Sequence, residues 1–180
     1  SSLSSRYPVI GYGSNAVPGQ LLSKFGPGAV VPVLCGRIDA CDVVYNLVSN
    51  FGYAYADLVF GEALGSCEVA ITFLDAQQLA WMVESEQNYH LAYSPADVLL
   101  ESGHLLPGGV GAALYLFAGY RRSGVPQGFA APAAVAEIGC LGRTLRAFGQ
   151  REYLALAIAQ FGLQARGIHT PEKFSERLLR

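Results

Sequence analysis

Two stretches of this chain carry residue types suited to chemistry. One is a glycine turn, Val9-Ile10-Gly11-Tyr12-Gly13-Ser14-Asn15; the other is a glutamate, Glu86, at the end of an amphipathic segment. Glycines after an apolar run let the backbone turn sharply and let a ligand approach main-chain N–H groups. Such a turn makes a nest of amide donors for an anion or a developing oxyanion. It is equally an ordinary strand-to-loop turn, where Gly, Ser and Asn are common. Glu86 follows Leu79, Met82 and Val83 at helical spacing, which puts it in line with an apolar stripe. A carboxylate there is expected to be partly desolvated, with a raised pKa, as suits a general acid or base. The alternative is a helix-end glutamate that leans into solvent.

Other candidates carry less. Glu84 points away from the stripe and reads as a solvated charge; Asp75 reads as a helix N-cap, with Gln78 completing a capping box. Ser14 is not a nucleophile elbow, because Ala16 stands where the last glycine of that motif belongs. Cys35, Cys41, Cys67 and Cys140 include no C-x-x-C pair, and His90, His104 and His169 sit at no ligand spacing. No metal site is expected, and the cysteines read as buried free thiols. Gly11-Tyr12-Gly13-Ser14-Asn15-Ala16 also fits a dinucleotide fingerprint, with Asp39 further on. That fingerprint requires a full helix directly after the glycines, and Pro18-Gly19 count against one.

The elements that must position these groups are short. Strands are expected over Pro8–Gly11, Ala29–Leu34, Ile38–Leu47, Tyr53–Phe60, Glu68–Phe73, Tyr89–Tyr93 and Val110–Ala118. A helical turn fits within Val17–Phe25 and a helix from Asp75. Asp97–Glu101 reads as a turn and Arg121–Gln127 as a polar loop. Ala131–Cys140 and Gln150–Gln164 read as helices, the second with Leu154, Ala157, Ile158 and Phe161 on one side. A short helix near Pro171 follows, capped by Thr170. Strands dominate the first two-thirds, without regular βαβ alternation. The expected fold class is therefore α+β, a mixed sheet or barrel with helices outside, in one domain spanning residues 1–180.

Composition narrows the partners. Hydrophobic residues make up 52% of the 180 and charged residues only 14%, against about 25% charged in an ordinary domain. The surface is thus apolar or partly covered, which admits a homo-oligomer. The net charge of −2, with ten arginines and two lysines in the chain, gives no basic stripe for nucleic acid. No apolar run is long enough for a membrane span, and no signal core opens the sequence. A cytoplasmic location is the expectation.

The ordered combination resembles the gamma-glutamylcyclotransferase-like superfamily. A strand runs into Tyr12-Gly13-Ser14-Asn15, the family's Y-G-S-N. Leu74-Asp75 opens a helix, Glu86 stands at the catalytic glutamate, and Tyr93 at a later tyrosine. Arg37–Asn46 and Gly61–Phe73 resemble the intervening strands, and Gly139, Gly142 and the segment from Gln150 the later part. Gln87 replaces a glycine that often follows the glutamate, and Gly128-Phe129 stands where some members carry a tyrosine. The resemblance implies a small mixed β-barrel with flanking helices. It also implies cyclisation of a gamma-glutamyl group to 5-oxoproline without cofactor or metal. Glu86 would be the general acid/base, and Gly11, Tyr12, Gly13, Ser14 and Asn15 would bind substrate. Tyr93 would orient Glu86 or line the pocket, and reads equally as core. A non-catalytic binding or assembly domain on the same fold is the alternative.

Overall fold

The computed structural model of the chain describes residues 3–48, 53–116, 131–160 and 170. Among these residues twelve strands and three α-helices follow one another. The strands are β1 (Tyr7–Gly11), β2 (Val33–Ile38), β3 (Cys41–Val48), β4 (Ala54–Phe60), β5 (Ser66–Leu74), β6 (Tyr89–Tyr93), β7 (Val98–Leu100), β8 (Leu105–Leu106), β9 (Ala112–Leu116), β10 (Ala134–Val135), β11 (Cys140–Leu141) and β12 (Ala147–Phe148). The helices are α1 (Pro18–Phe25), α2 (Ala76–Ser85) and α3 (Gln150–Gln160).

One sheet runs β6-β9-β1-β5-β2-β7-β8, and the other β12-β10-β3-β4. They curl as a half-barrel around a shared core of Ile10, Ile38, Val43, Leu58, Ile71 and Phe148. The α+β expectation therefore holds. β1 is antiparallel to β5 but parallel to β9. A doubly wound dinucleotide fold is all parallel around its glycine turn, so that reading fails on topology. It does not fail for want of a helix. Pro18 sits in the first turn of α1, where its missing N–H costs nothing, and the helix runs on to Phe25.

β5 is the strand that organises the site. Along one edge it pairs with β2; along the other it pairs with β1 over Ala70–Leu74 and then with β11 at Ser66 and Cys67. Between Ala70 and Cys67 this edge passes from one neighbour to the next. The glycine turn leaves β1 at that gap.

A second apolar cluster joins Val9, Leu74 and Leu114 of the sheet to Leu21 and Phe25 of α1 and Met82 of α2. Burying each of these large side chains stabilises by about 1.5–3 kcal/mol. Together they lock both helices to the sheet next to the turn. α2 starts on Asp75, whose side chain accepts from Gln78 N at 2.9 Å while Gln78 Oε1 accepts from Asp75 N at 3.1 Å. This is the capping box expected from the sequence.

Some expected elements differ. Ala131–Cys140 is not helical: Pro132 breaks the run, and Ala134 pairs with both Val44 and Ala147. Sheet pairing overrides the helix propensity of alanine there. Val98–Leu100 is a strand because it has β2 and β8 as partners. The polar loop, Gly128-Phe129, Phe161 and all of the tail helix except Thr170 lie outside the described residues.

Candidate active site

The glycine turn folds back on itself. A Cβ at Gly11 would lie 2.9 Å from the carbonyl oxygen of Asn15 and 3.0 Å from the Ala16 nitrogen, so only glycine fits. The turn closes as a single 3₁₀ turn, Ser14–Ala16. Ala16 N–H donates to Gly13 O at 2.9 Å and Val17 N–H to Ser14 O at 3.0 Å. The amides of Gly13, Ser14 and Asn15 stand ahead of these, where helix-type N–H groups lack an acceptor within the turn. Tyr12 anchors the turn from below. It is buried, and its hydroxyl donates to the Leu114 carbonyl. Burial, then the neighbouring Tyr89 and Asp57, push this phenol well above its usual range, so it stays a donor.

Glu86 is brought to the turn by the end of α2, not by its face. It is the C-cap residue, with φ −111° and ψ 57°, and so lies outside the helical stripe that the spacing suggested. Met82 supplies the buried face, whereas Val83 is exposed. Glu86 nevertheless tucks inward. Its Oε1 accepts from Asn15 Nδ2 at 3.1 Å and from Lys24 Nζ at 2.5 Å. Among the described residues Oε2 takes no protein hydrogen bond. The Lys24 and Glu86 side chains are 14% and 17% exposed, so the pair is shielded from bulk water while still lining an open cleft. Lys24 Nζ also donates to Ser85 Oγ at 2.9 Å and approaches Met82 Sδ at 3.5 Å. Asn15 Oδ1 is buried and has no partner among the described residues.

The cleft measures about 1380 Å³. Tyrosines form one wall: Tyr55 meets Tyr53 and Tyr89 edge-on, at ring-centroid distances of 5.2 and 6.0 Å. Their hydroxyls are held by Asn88 Nδ2, which donates to Tyr55 at 2.8 Å, and by the Ala56 carbonyl, which accepts from Tyr89 at 2.7 Å. Burial and the Tyr53 hydroxyl push the Tyr55 phenol up to about 12. Burial and the Glu86 charge push Tyr89 higher still. At the far end, Tyr45 stacks on Tyr153 at 4.5 Å and donates to Glu137 Oε2 at 3.0 Å.

Gly11, Tyr12, Gly13, Ser14, Asn15 and Glu86 thus share one cleft. Tyr93 does not. It is 70% exposed at the far end of β6, four residues and about 13 Å along the strand from Tyr89. Tyr89 is the tyrosine at the glutamate. Lys24 was missed as well. One signal pointed to it: it is one of only two lysines in the chain, and it follows an apolar Leu-Leu pair.

A second polar centre lies away from the cleft mouth. Asp42 is fully buried; Arg143 grips it with Nε at 3.1 and 3.0 Å and Nη2 at 3.0 Å, and Val43 N–H adds a bond at 2.8 Å. Asp42, Cys67 and Cys140 place one donor atom each within 4.8 Å of one another. Sequence spacing gave no hint of this, because strand pairing puts Cys67 directly opposite Cys140. Cys35, expected to be buried, is exposed.

No family model and no curated protein matches the sequence. Solved structures do. A structure titled gamma-glutamyl cyclotransferase superposes with a TM-score of 0.52 at 10% identity, over 93% of this chain and 85% of its own. An uncharacterized protein from Homo sapiens gives 0.52 at 10%, over 94% and 86%. The fold is gamma-glutamylcyclotransferase-like. It is a fold used by an enzyme family, and in this chain its cleft holds the glycine turn and Glu86 together. No described helix is long and apolar enough to cross a membrane.

Proposed function

We propose that the chain cyclises a gamma-glutamyl group to 5-oxoproline, releasing an amine or amino acid. One observation carries this reading: the 3.1 Å bond from Asn15 to Glu86 joins the oxyanion-type turn to a carboxylate in one cleft. The substrate's α-ammonium loses a proton to Glu86 Oε2. The freed amine nitrogen attacks the γ-carbonyl carbon, and the oxygen takes the negative charge beside the Gly13–Asn15 amides. The ring nitrogen then gives up its second proton to the leaving nitrogen, Glu86 returns the first as the γ-carbon–nitrogen bond breaks, and the products are 5-oxoproline and an ammonium. Ring closure is intramolecular, so holding the chain bent supplies much of the acceleration. Tyr55 and Tyr89, both raised by burial, stay protonated at neutral pH and pack the bent chain without competing for the proton.

Glu86→Gln tests the reading. It keeps the shape and removes the base, so 5-oxoproline release from a gamma-glutamyl panel is expected to drop by about 10²–10⁴-fold. Undiminished turnover would remove Glu86 from this role, and no release by the wild type from any panel member would refute cyclisation. A second reading, a binding or assembly domain, is favoured by exposed Leu22, Trp81 and Val83 on the helices beside the site. A monomeric mass in size exclusion would count against assembly.

A further inference from the structure

A gamma-glutamyl head carries an ammonium and a carboxylate on the same carbon. The cleft carries their mirror image: a carboxylate, Glu86, and an ammonium, Lys24, in contact at 2.5 Å. We propose that Lys24 binds the substrate's α-carboxylate, so that the head group inserts between Lys24 and Glu86 and exchanges one ion pair for two. The inference rests on the cyclisation reading and adds to it a residue that selects for an intact α-amino-acid head.

The hydrogen-bonding around the pair is arranged for such an exchange. An ammonium has three N–H donors. Lys24 directs one at Ser85 Oγ, one at Glu86 Oε1 and the third at the thioether of Met82. Thioether sulfur is a weak acceptor, so an incoming carboxylate oxygen replaces it with gain. The substrate's own ammonium also finds partners ready. Among the described residues Glu86 Oε2 takes no protein hydrogen bond, and Asn15 Oδ1 is buried without a donor. The orientation of that amide is fixed by its neighbour: turned over, its oxygen would face the Glu86 carboxylate, and only the NH₂ group can donate there. Glu86, which lines the cleft, offers its second oxygen to an ammonium arriving there. The Leu21, Phe25 and Met82 packing holds Lys24 on this side of the cleft, so the cation is a fixed feature of the wall.

The test compares two compounds differing only in the α-carboxylate. Gamma-glutamyl-alanine has it; 4-aminobutyryl-alanine lacks it and would cyclise to 2-pyrrolidinone. The wild type is expected to prefer the first in kcat/KM. In Lys24→Met the preference is expected to collapse toward one, through a 10- to 100-fold rise in KM for gamma-glutamyl-alanine, about the range for losing a charged hydrogen bond. Lys24→Arg keeps the charge and should restore part of the preference. An unchanged preference in Lys24→Met, or an equal loss on both compounds, overturns the proposal. If the wild type forms neither cyclic product, nor 5-oxoproline from the wider gamma-glutamyl panel, the cyclisation reading fails by itself. Titration calorimetry with the same compounds then decides Lys24. Carboxylate-dependent binding that Lys24→Met abolishes supports its role, and binding that is absent or independent of the carboxylate refutes it.

Discussion

The molecule holds two ion pairs of opposite character. Asp42–Arg143 is closed: the carboxylate is fully buried, gripped through both oxygens and topped by a backbone amide. Lys24–Glu86 is open. Among the described residues only one glutamate oxygen is engaged, the lysine points one donor at a sulfur, and a buried amide oxygen beside them has no partner. Each pair joins residues far apart in the sequence, 101 and 62 positions. The difference is saturation. A saturated buried pair has nothing left to offer a ligand, so it holds strands together. An unsaturated one at a cleft is receptive.

The contrast predicts opposite mutational signatures. Arg143→Ala strands a buried charge and is expected to destabilise by about 3–5 kcal/mol in denaturant unfolding. Lys24→Met should cost less than this, because Glu86 lines the open cleft and keeps its bond from Asn15 when the lysine is gone. Equal losses from the two would erase the distinction. Gly11→Ala comes next. The added methyl meets backbone rather than a movable side chain, so we expect a loss of about 1–3 kcal/mol together with displacement of Asn15 from Glu86. Retained turnover in that variant would show the turn to be dispensable.

The smallest effect is alkaline. Burial and a bond with Cys67 raise the Cys140 thiol to about 12, and Tyr55 in the cleft rises to about 12. A group whose folded pKa is raised stabilises fully below its unfolded value, about 8.5 for a thiol and 10 for a phenol. That contribution disappears as pH climbs through the folded value. Stability should therefore decline between about pH 9 and pH 12, and Cys140→Ala should flatten the early part of the decline. An identical pH profile for Cys140→Ala would place the alkaline sensitivity elsewhere.

Local signals were readable in the sequence. The Asp75–Gln78 capping box, the apolar run into Gly11 and the patterned strand around Ile71 involve neighbours a few residues apart, and each formed as expected. What depended on distant partners was not readable. Ala134 becomes a strand because Val44 and Ala147 flank it. Cys67 meets Cys140 through register. Glu86 reaches the turn by capping α2, so the residue was identified for a reason the structure replaces. Lys24 was hidden because its partner is 62 positions away, and the resemblance points to Tyr93, whereas Tyr89 at the other end of β6 is the one that meets the cleft.

The Tyr12–Leu114 bond spans 102 residues, and β1 is completed only when β9 lies beside it. During synthesis the first strand must therefore wait for most of the chain to emerge before the turn it carries is held. Such long-range closure slows folding. The turn is therefore held in place by a strand about a hundred residues further on, and an ordered cleft reports that β1 and β9 have met.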